Sequence, residues 1–171
     1  MISLQRTSLK GLITLFALCA IALAANAQTI TRTTSAYPGT PLAEAVAVPP
    51  GYTTYYISGD LPSPVDPNAP AGSPRRYGDT ETQTTSVLAN LKQKLDKLGL
   101  TFGDIVQARV YLVGDPGKNG QMDFAGMNKA WLKEFGTEKQ PNRPARATVQ
   151  VVALAIPGAL AEIELVAAKK P

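Results

Sequence analysis

Gln83-Thr84-Thr85-Ser86-Val87-Leu88-Ala89-Asn90-Leu91-Lys92-Gln93-Lys94-Leu95-Asp96-Lys97-Leu98-Gly99 runs through Leu100-Thr101-Phe102-Gly103-Asp104 into Ile105-Val106-Gln107-Ala108-Arg109-Val110-Tyr111-Leu112-Val113. Within this stretch the apolar period changes. Val87, Leu88, Leu91, Leu95 and Leu98 recur at helical spacing and share one face. Thr80 followed by Gln83 reads as a capping box at the start of that helix. Gly99 is its stop, because glycine takes the left-handed conformation without a steric penalty. From Ile105 the period is two, with Val106, Ala108, Val110 and Leu112 on one side of a strand that Gly114-Asp115-Pro116-Gly117 ends. No Gly-Lys-Ser/Thr follows those glycines, so they make a turn and not a phosphate loop.

Downstream, Asp123 is an N-cap for a second helix that stops near Gly136, with Phe124, Met127, Trp131 and Phe135 as its apolar stripe. Asn128 falls inside that stripe. An amide there must find a hydrogen-bond partner, so it either pins a loop or faces a wet site. Two strands close the chain, Ala145 to Leu154 and Ala161 to Ala167, joined by a turn at Pro157-Gly158. On the first, Ala145, Ala147, Val149, Val151 and Ala153 form the apolar face, and Arg146, Thr148 and Gln150 the polar one. On the second, Ile163, Leu165 and Ala167 oppose Glu162 and Glu164.

Upstream, Leu42 to Val48 and Thr53 to Ser58 read as strands, separated by Pro49-Pro50-Gly51. Pro62, Pro64, Pro67, Pro70 and Pro74 then impose a long loop, since proline lacks the N–H that strands and helices need. Such a loop is either functional or an ordered surface coil. The order β, β, α, β, α, β, β is that of one α+β domain, a mixed sheet with two helices on one face.

The first residues have the make-up of a secretory signal peptide: Arg6 and Lys10, an uncharged run from Gly11 to Ala24, and Ala25-Asn26-Ala27 as a small-x-small cleavage site. The run is shorter than the roughly 20 apolar residues of a spanning helix. Leu18 before Cys19 argues against lipoprotein processing. The chain therefore divides into a signal peptide (1–27), a flexible lead-in (28–40) and a domain (41–171). A periplasmic or secreted address follows, with no membrane attachment after cleavage.

Cleavage after Ala27 removes Arg6, Lys10 and the single cysteine, which lowers the net charge from +4 to +2. That balance, without a Lys/Arg run, does not indicate a nucleic-acid partner. With no histidine anywhere and no cysteine after Ala27, the usual zinc and triad chemistries lack their groups. No metal or other cofactor is expected, and a site must be made from carboxylates, arginine, lysine, hydroxyls and amides.

Arg146 and Glu164 sit on the polar faces of strands expected to be neighbours. They form either a cross-strand ion pair on a solvated face or a small-molecule site. In the second case the arginine fork grips a carboxylate and the glutamate orients or deprotonates a water.

Several ordered segments resemble the reactive intermediate deaminase family, also called RidA or YjgF. They are Tyr55-Tyr56-Ile57-Ser58-Gly59, Gln83 to Leu98 with Gly99 to Val106, Asp123 to Asn128, Pro144 to Val149 and Glu162 to Ala167. The resemblance runs from about Pro41 to Ala168. It implies a chorismate-mutase-like α+β fold, a homotrimer with three clefts between subunits, and cofactor-free hydrolysis of 2-imino acids to 2-oxoacids and ammonia. By that resemblance Arg146 clamps the substrate carboxylate and Glu164 positions the attacking water, while Ser58, Gly59, Asn128 and the backbone of Thr148 line the cleft. Two positions depart from the family pattern: Leu42 stands where active members have a cleft tyrosine, and Asp60 where glutamine is common. The alternative is a non-enzymatic binder of small carboxylates, or a chaperone-like protein, using the same cleft. Endoribonuclease activity, attributed to some relatives, fits poorly with the weak positive charge and the absent histidine.

Overall fold

A computed structural model of the chain describes residues 29–37 and 39–171; the expected signal peptide lies outside the described residues. The elements are β1 (Thr31–Thr34), β2 (Ala43–Ala47), β3 (Thr53–Asp60), α1 (Pro74–Tyr77), α2 (Thr80–Lys97), β4 (Ile105–Val113), α3 (Phe124–Trp131), β5 (Ala145–Val151) and β6 (Ala161–Lys169). One six-stranded mixed sheet has the order β1-β2-β5-β4-β6-β3. β4 and β5 are parallel, linked by the α3 crossover; β4–β6 and β6–β3 are antiparallel.

This order corrects two expectations. β5 and β6 do not form a hairpin, because β4 lies between them. The expected lead-in contains a strand: Thr31–Thr34 pairs antiparallel with Ala43–Ala47. Its composition is polar because the strand stands at the sheet edge, where little is buried, so alternation gave no signal.

Helices α2 and α3 cover one face. Val87, Leu88, Leu91 and Leu95 meet Ala108, Val110, Leu112, Ile163, Leu165 and Ala167 in a single core. Leu98, at the end of the expected stripe, is half exposed because the helix is already leaving the sheet; Leu100 is buried in its place. Gly99 turns the chain with φ +67°, as its position required. The helix start also differs. Asp79 is the N-cap and accepts from the Thr82 N–H at 2.8 Å. Gln83 is instead buried as a brace, donating to the Gly78 and Gly158 carbonyls and accepting from Leu160 N–H. Replacing fully buried Leu91 with alanine should cost about 2–5 kcal/mol, read as a lowered urea midpoint at unchanged slope.

Trp131 anchors the other helix. It stacks on Phe135 with ring centroids 4.1 Å apart, and Phe102 meets Phe135 at 5.0 Å. Its indole N–H donates to the Pro41 carbonyl at 3.0 Å, fixing the chain just before β2. Phe124, expected in the buried stripe, is 43% exposed. The proline-rich loop is an ordered coil containing α1: Arg76 donates to the Pro67 and Ala69 carbonyls, and Tyr77 is buried.

Candidate functional site

Arg146 follows the pairing of β5 with β4, where it lies beside Ala108. Ala108 is fully buried under the helices, so Arg146 shares the helix-covered face. The alternation expected for β5 is thus inverted: Ala147 and Val149 are exposed, and Arg146 turns inward. The wall it meets is α3. One guanidinium nitrogen, Nη2, donates to Asn128 Oδ1 at 2.8 Å, and the cation lies over the Trp131 ring at 4.6 Å. Nη1 lies 3.7 Å from the Met127 sulfur. Asn128 therefore holds the guanidinium, which is why an amide is tolerated in an apolar stripe.

Among the described residues Arg146 has no acidic partner. Its Nε is buried without a hydrogen bond, and so is Oγ1 of Thr148, the next inward residue of the strand. Burial lowers the Arg146 pKa to about 10, which leaves it cationic at neutral pH. A desolvated guanidinium beside an unpartnered hydroxyl can receive an anion, since a carboxylate supplies both charge and acceptors. Arg146, Asn128 and Thr148 are thus brought together.

The other expected residues are not with them. Glu164 pairs with Arg109 across β4 and β6, and their side chains form an ion pair on the uncovered face of the sheet. That hydrogen bond and the carboxylate's charge raise the Arg109 pKa. The expectation that Arg146 and Glu164 face each other on neighbouring strands is therefore corrected: one strand and the thickness of the sheet separate them. The reason is topological, since β4 inserts between two strands that are consecutive in sequence.

Ser58 and Gly59 lie at the end of β3, where the register against β6 shifts between Ile57 and Asp60. Lys94 fastens this bulge, pairing with Asp60 at 3.0 Å and reaching the Ser58 and Gly59 carbonyls at 3.4 Å. Asp60, the departure from the family pattern, thereby tethers α2 to the bulge. A Cβ built on Gly59 would fall 2.5 Å from the Glu162 carboxylate, so this glycine leaves room for that side chain. Glu162 forms no ion pair among the described residues. Sequence reasoning passed over Glu162 in favour of Glu164; both point the same way on alternation, and only the β3–β6 register sets one of them beside Ser58-Gly59.

Among the described residues no cluster of three His, Cys, Asp or Glu side chains is placed to hold a metal ion. No helix among them is long and apolar enough to cross a membrane.

Comparison with known proteins identifies the family and agrees with the fold. A family profile described as endoribonuclease L-PSP matches residues 34–169. A RutC family protein of Pyrococcus horikoshii is 35% identical over 67% of this chain and 79% of its own length. The protein DfrA of Myxococcus xanthus is 36% identical over 74% of this chain and 84% of its own length. Among solved structures, a Rid family protein of Yersinia pestis, YyfB, superposes with TM-score 0.60 at 26% identity, over 82% of this chain and 98% of its own. A putative endoribonuclease of Thermotoga maritima does so with TM-score 0.52 at 28% identity, over 84% and 98%. The chain belongs to the RidA/YjgF family, whose profile bears the endoribonuclease L-PSP description.

Proposed function

We propose that the chain is an exported enamine/imine deaminase that hydrolyses small 2-imino acids to 2-oxoacids and ammonia. The observation that carries this reading is the desolvated Arg146 guanidinium, which has an unpaired Nε beside the unpaired Thr148 hydroxyl. Such a pocket favours a small carboxylate. Once the carboxylate is held, C2 of the imine lies next to it and water can add there. The water's proton goes to a base while the C2–O bond forms. The C2=N π pair passes to nitrogen, which takes up a proton. A second proton on nitrogen makes it a leaving group, and the new hydroxyl loses its proton as C2=O forms and the C2–N bond breaks, releasing ammonia and the 2-oxoacid. No electrons change hands, so no cofactor is required.

The base is a glutamate of β6, and the geometry favours Glu162 over Glu164. Among the described residues Glu162 forms no ion pair and lies beside Ser58-Gly59, whereas Glu164 is committed to Arg109. Because Arg146 and Glu162 lie on opposite faces of one sheet, a single site needs two chains. A cyclic homotrimer meets this requirement: each cleft takes Arg146, Asn128 and Thr148 from one subunit, and Ser58, Gly59 and Glu162 from the next. The uncovered sheet face, with Tyr56 and Val149 exposed, is available for that assembly. The partners are then a small carboxylate and two further copies of the chain, with no role for nucleic acid.

The test couples the protein to a serine/threonine dehydratase or an amino-acid oxidase and follows loss of the imine. Faster imine loss than in the uncatalysed control, together with a melting temperature raised by 2-oxobutanoate, is expected. Stabilisation by the 2-oxoacid without any acceleration would support a carboxylate binder instead. Leu42 favours that second reading: it stands where active members carry a tyrosine and offers no hydroxyl.

Gly59→Ala gives a sharper local check. The added methyl must displace the Glu162 carboxylate, a flexible group, so the fold should hold. Misplacing a catalytic group by about 1 Å can cost about a hundred-fold in rate. Reduced kcat with a nearly unchanged melting temperature is the expected result.

A further inference from the structure

We propose that Arg32 and Arg143 form a second anion site, in a cavity that Arg146 does not line, that takes a small divalent oxyanion of the phosphate type. Both side chains line one cavity of about 240 Å³, together with Thr33, Thr34, Leu42 and Asn142. Arg32 comes from the edge strand β1 and Arg143 from the chain entering β5, so residues more than a hundred positions apart converge here.

Each guanidinium is positioned by backbone carbonyls and, among the described residues, forms no ion pair. Arg32 Nη2 donates to the Gly103 and Ile105 carbonyls at 3.1 and 3.2 Å. Its Nε is buried and has no hydrogen-bond partner among the described residues. Arg143 Nη1 donates to the Thr40 carbonyl at 3.1 Å. Among the described residues neither arginine forms an ion pair. Asp104 does act on Arg32, but its carboxylate already accepts from Thr101 N–H and Oγ1 at 2.8 and 3.0 Å. Burial lowers the Arg32 pKa more than Asp104 restores it, so the charge is held at a cost.

Two cations on one cavity repel each other, and an anion between them removes both the repulsion and the missing hydrogen bonds. Two positive charges match a dianion. The volume exceeds the roughly 30 Å³ share of a water molecule and lies below the usual range of about 300–1,000 Å³ for drug-sized ligands. A compact oxyanion fits both limits. Asn142 Nδ2 bonds the same Gly103 carbonyl as Arg32, at 3.0 Å, which steadies the cavity wall before a ligand arrives. Nothing in this argument depends on what Arg146 binds.

Titration calorimetry with inorganic phosphate at low salt tests the site. The expected result is saturable binding that weakens about ten-fold or more in Arg143→Gln, the loss of one charge-assisted contact, and that persists in Arg146→Gln. Arg32→Gln should do the same, but Arg32 also fastens β1 to Gly103 and Ile105. Arg32→Lys is therefore included, since it retains a charge and should weaken binding less than Arg32→Gln. A thermal shift induced by phosphate in the parent and lost in Arg143→Gln is the second readout. Phosphate binding that survives Arg143→Gln, binding abolished by Arg146→Gln alone, or no saturable binding at millimolar phosphate would each overturn the proposal. Malonate binding without phosphate binding would overturn the phosphate-type assignment.

Discussion

Arg146→Lys is expected to weaken 2-oxoacid binding and imine turnover about ten- to a hundred-fold, the worth of one charged hydrogen bond at roughly 1.5–3 kcal/mol. Lysine keeps a charge but has no fork. It cannot hold Asn128 Oδ1 at 2.8 Å, lie flat over Trp131 and still present two parallel donors to a carboxylate. Arg146→Ala would also remove the cation from the Trp131 ring, a contact worth about 0.5–2 kcal/mol, so lysine separates ligand handling from packing more cleanly. Binding should also depend on pH in a defined sense. The carboxylate needs the charged guanidinium, which is present below a pKa of about 10 and lost above it. Affinity should therefore hold through neutral pH and fade as pH rises through about 10. Calorimetry with 2-oxobutanoate, imine loss and a melting curve on the same samples check all three. A lysine variant that binds and turns over like the parent would make Arg146 a packing residue on Trp131.

Mixing two inactive variants should restore activity. In the proposed trimer Arg146→Lys would lack the clamp and Glu162→Gln the base, so each variant alone is expected to turn over imines poorly. When the two chains are co-expressed, a cleft is intact if its first subunit keeps Arg146 and the next keeps Glu162. With random assembly half the subunits meet each condition, which gives about a quarter of the clefts. Recovery toward about a quarter of parent activity is the expected result, and equal stoichiometry should give the maximum. Were both residues to act from one chain, no cleft would recover and the mixture would stay as inactive as its parts. Glu164→Gln serves as the comparison: it breaks the pair with Arg109 on the open sheet face and should leave turnover close to parent. A Glu164→Gln variant slower than Glu162→Gln would return the base to Glu164.

Some of this was written in the sequence in a form that local physics can read. The leucine period from Val87 to Leu95 and the positive-φ glycine at Gly99 define α2 and its end. The two-residue period from Val106 to Leu112 defines the central strand β4. Both signals are strong because the elements are buried on a whole face, and burial imposes the period. Asn128 stood out as an amide inside an apolar stripe, Arg146 as a member of the polar face of its strand, and Ser58 and Gly59 only through the family resemblance. Where nothing is buried the pattern fails, as at Thr31–Thr34, an edge strand whose polar residues read as coil.

Only the tertiary structure decided which residues meet. Alternation on β5 separates Arg146 and Thr148 from Ala147 and Val149, but it does not say which set the helices cover. Here it is the arginine side, because Asn128 and the Trp131 ring accept the cation. Alternation on β6 groups Glu162 with Glu164 and cannot tell them apart. The bulge in the β3–β6 register places one beside Gly59, and the pairing with β4 gives the other to Arg109. The same holds for Arg146 and Glu164, neighbours by strand order in the chain yet divided by β4 and by the sheet itself. Periodicity is a property of one strand in its own environment. Strand order and register are long-range pairings between segments, and a shift of one residue reverses which side chains share a face.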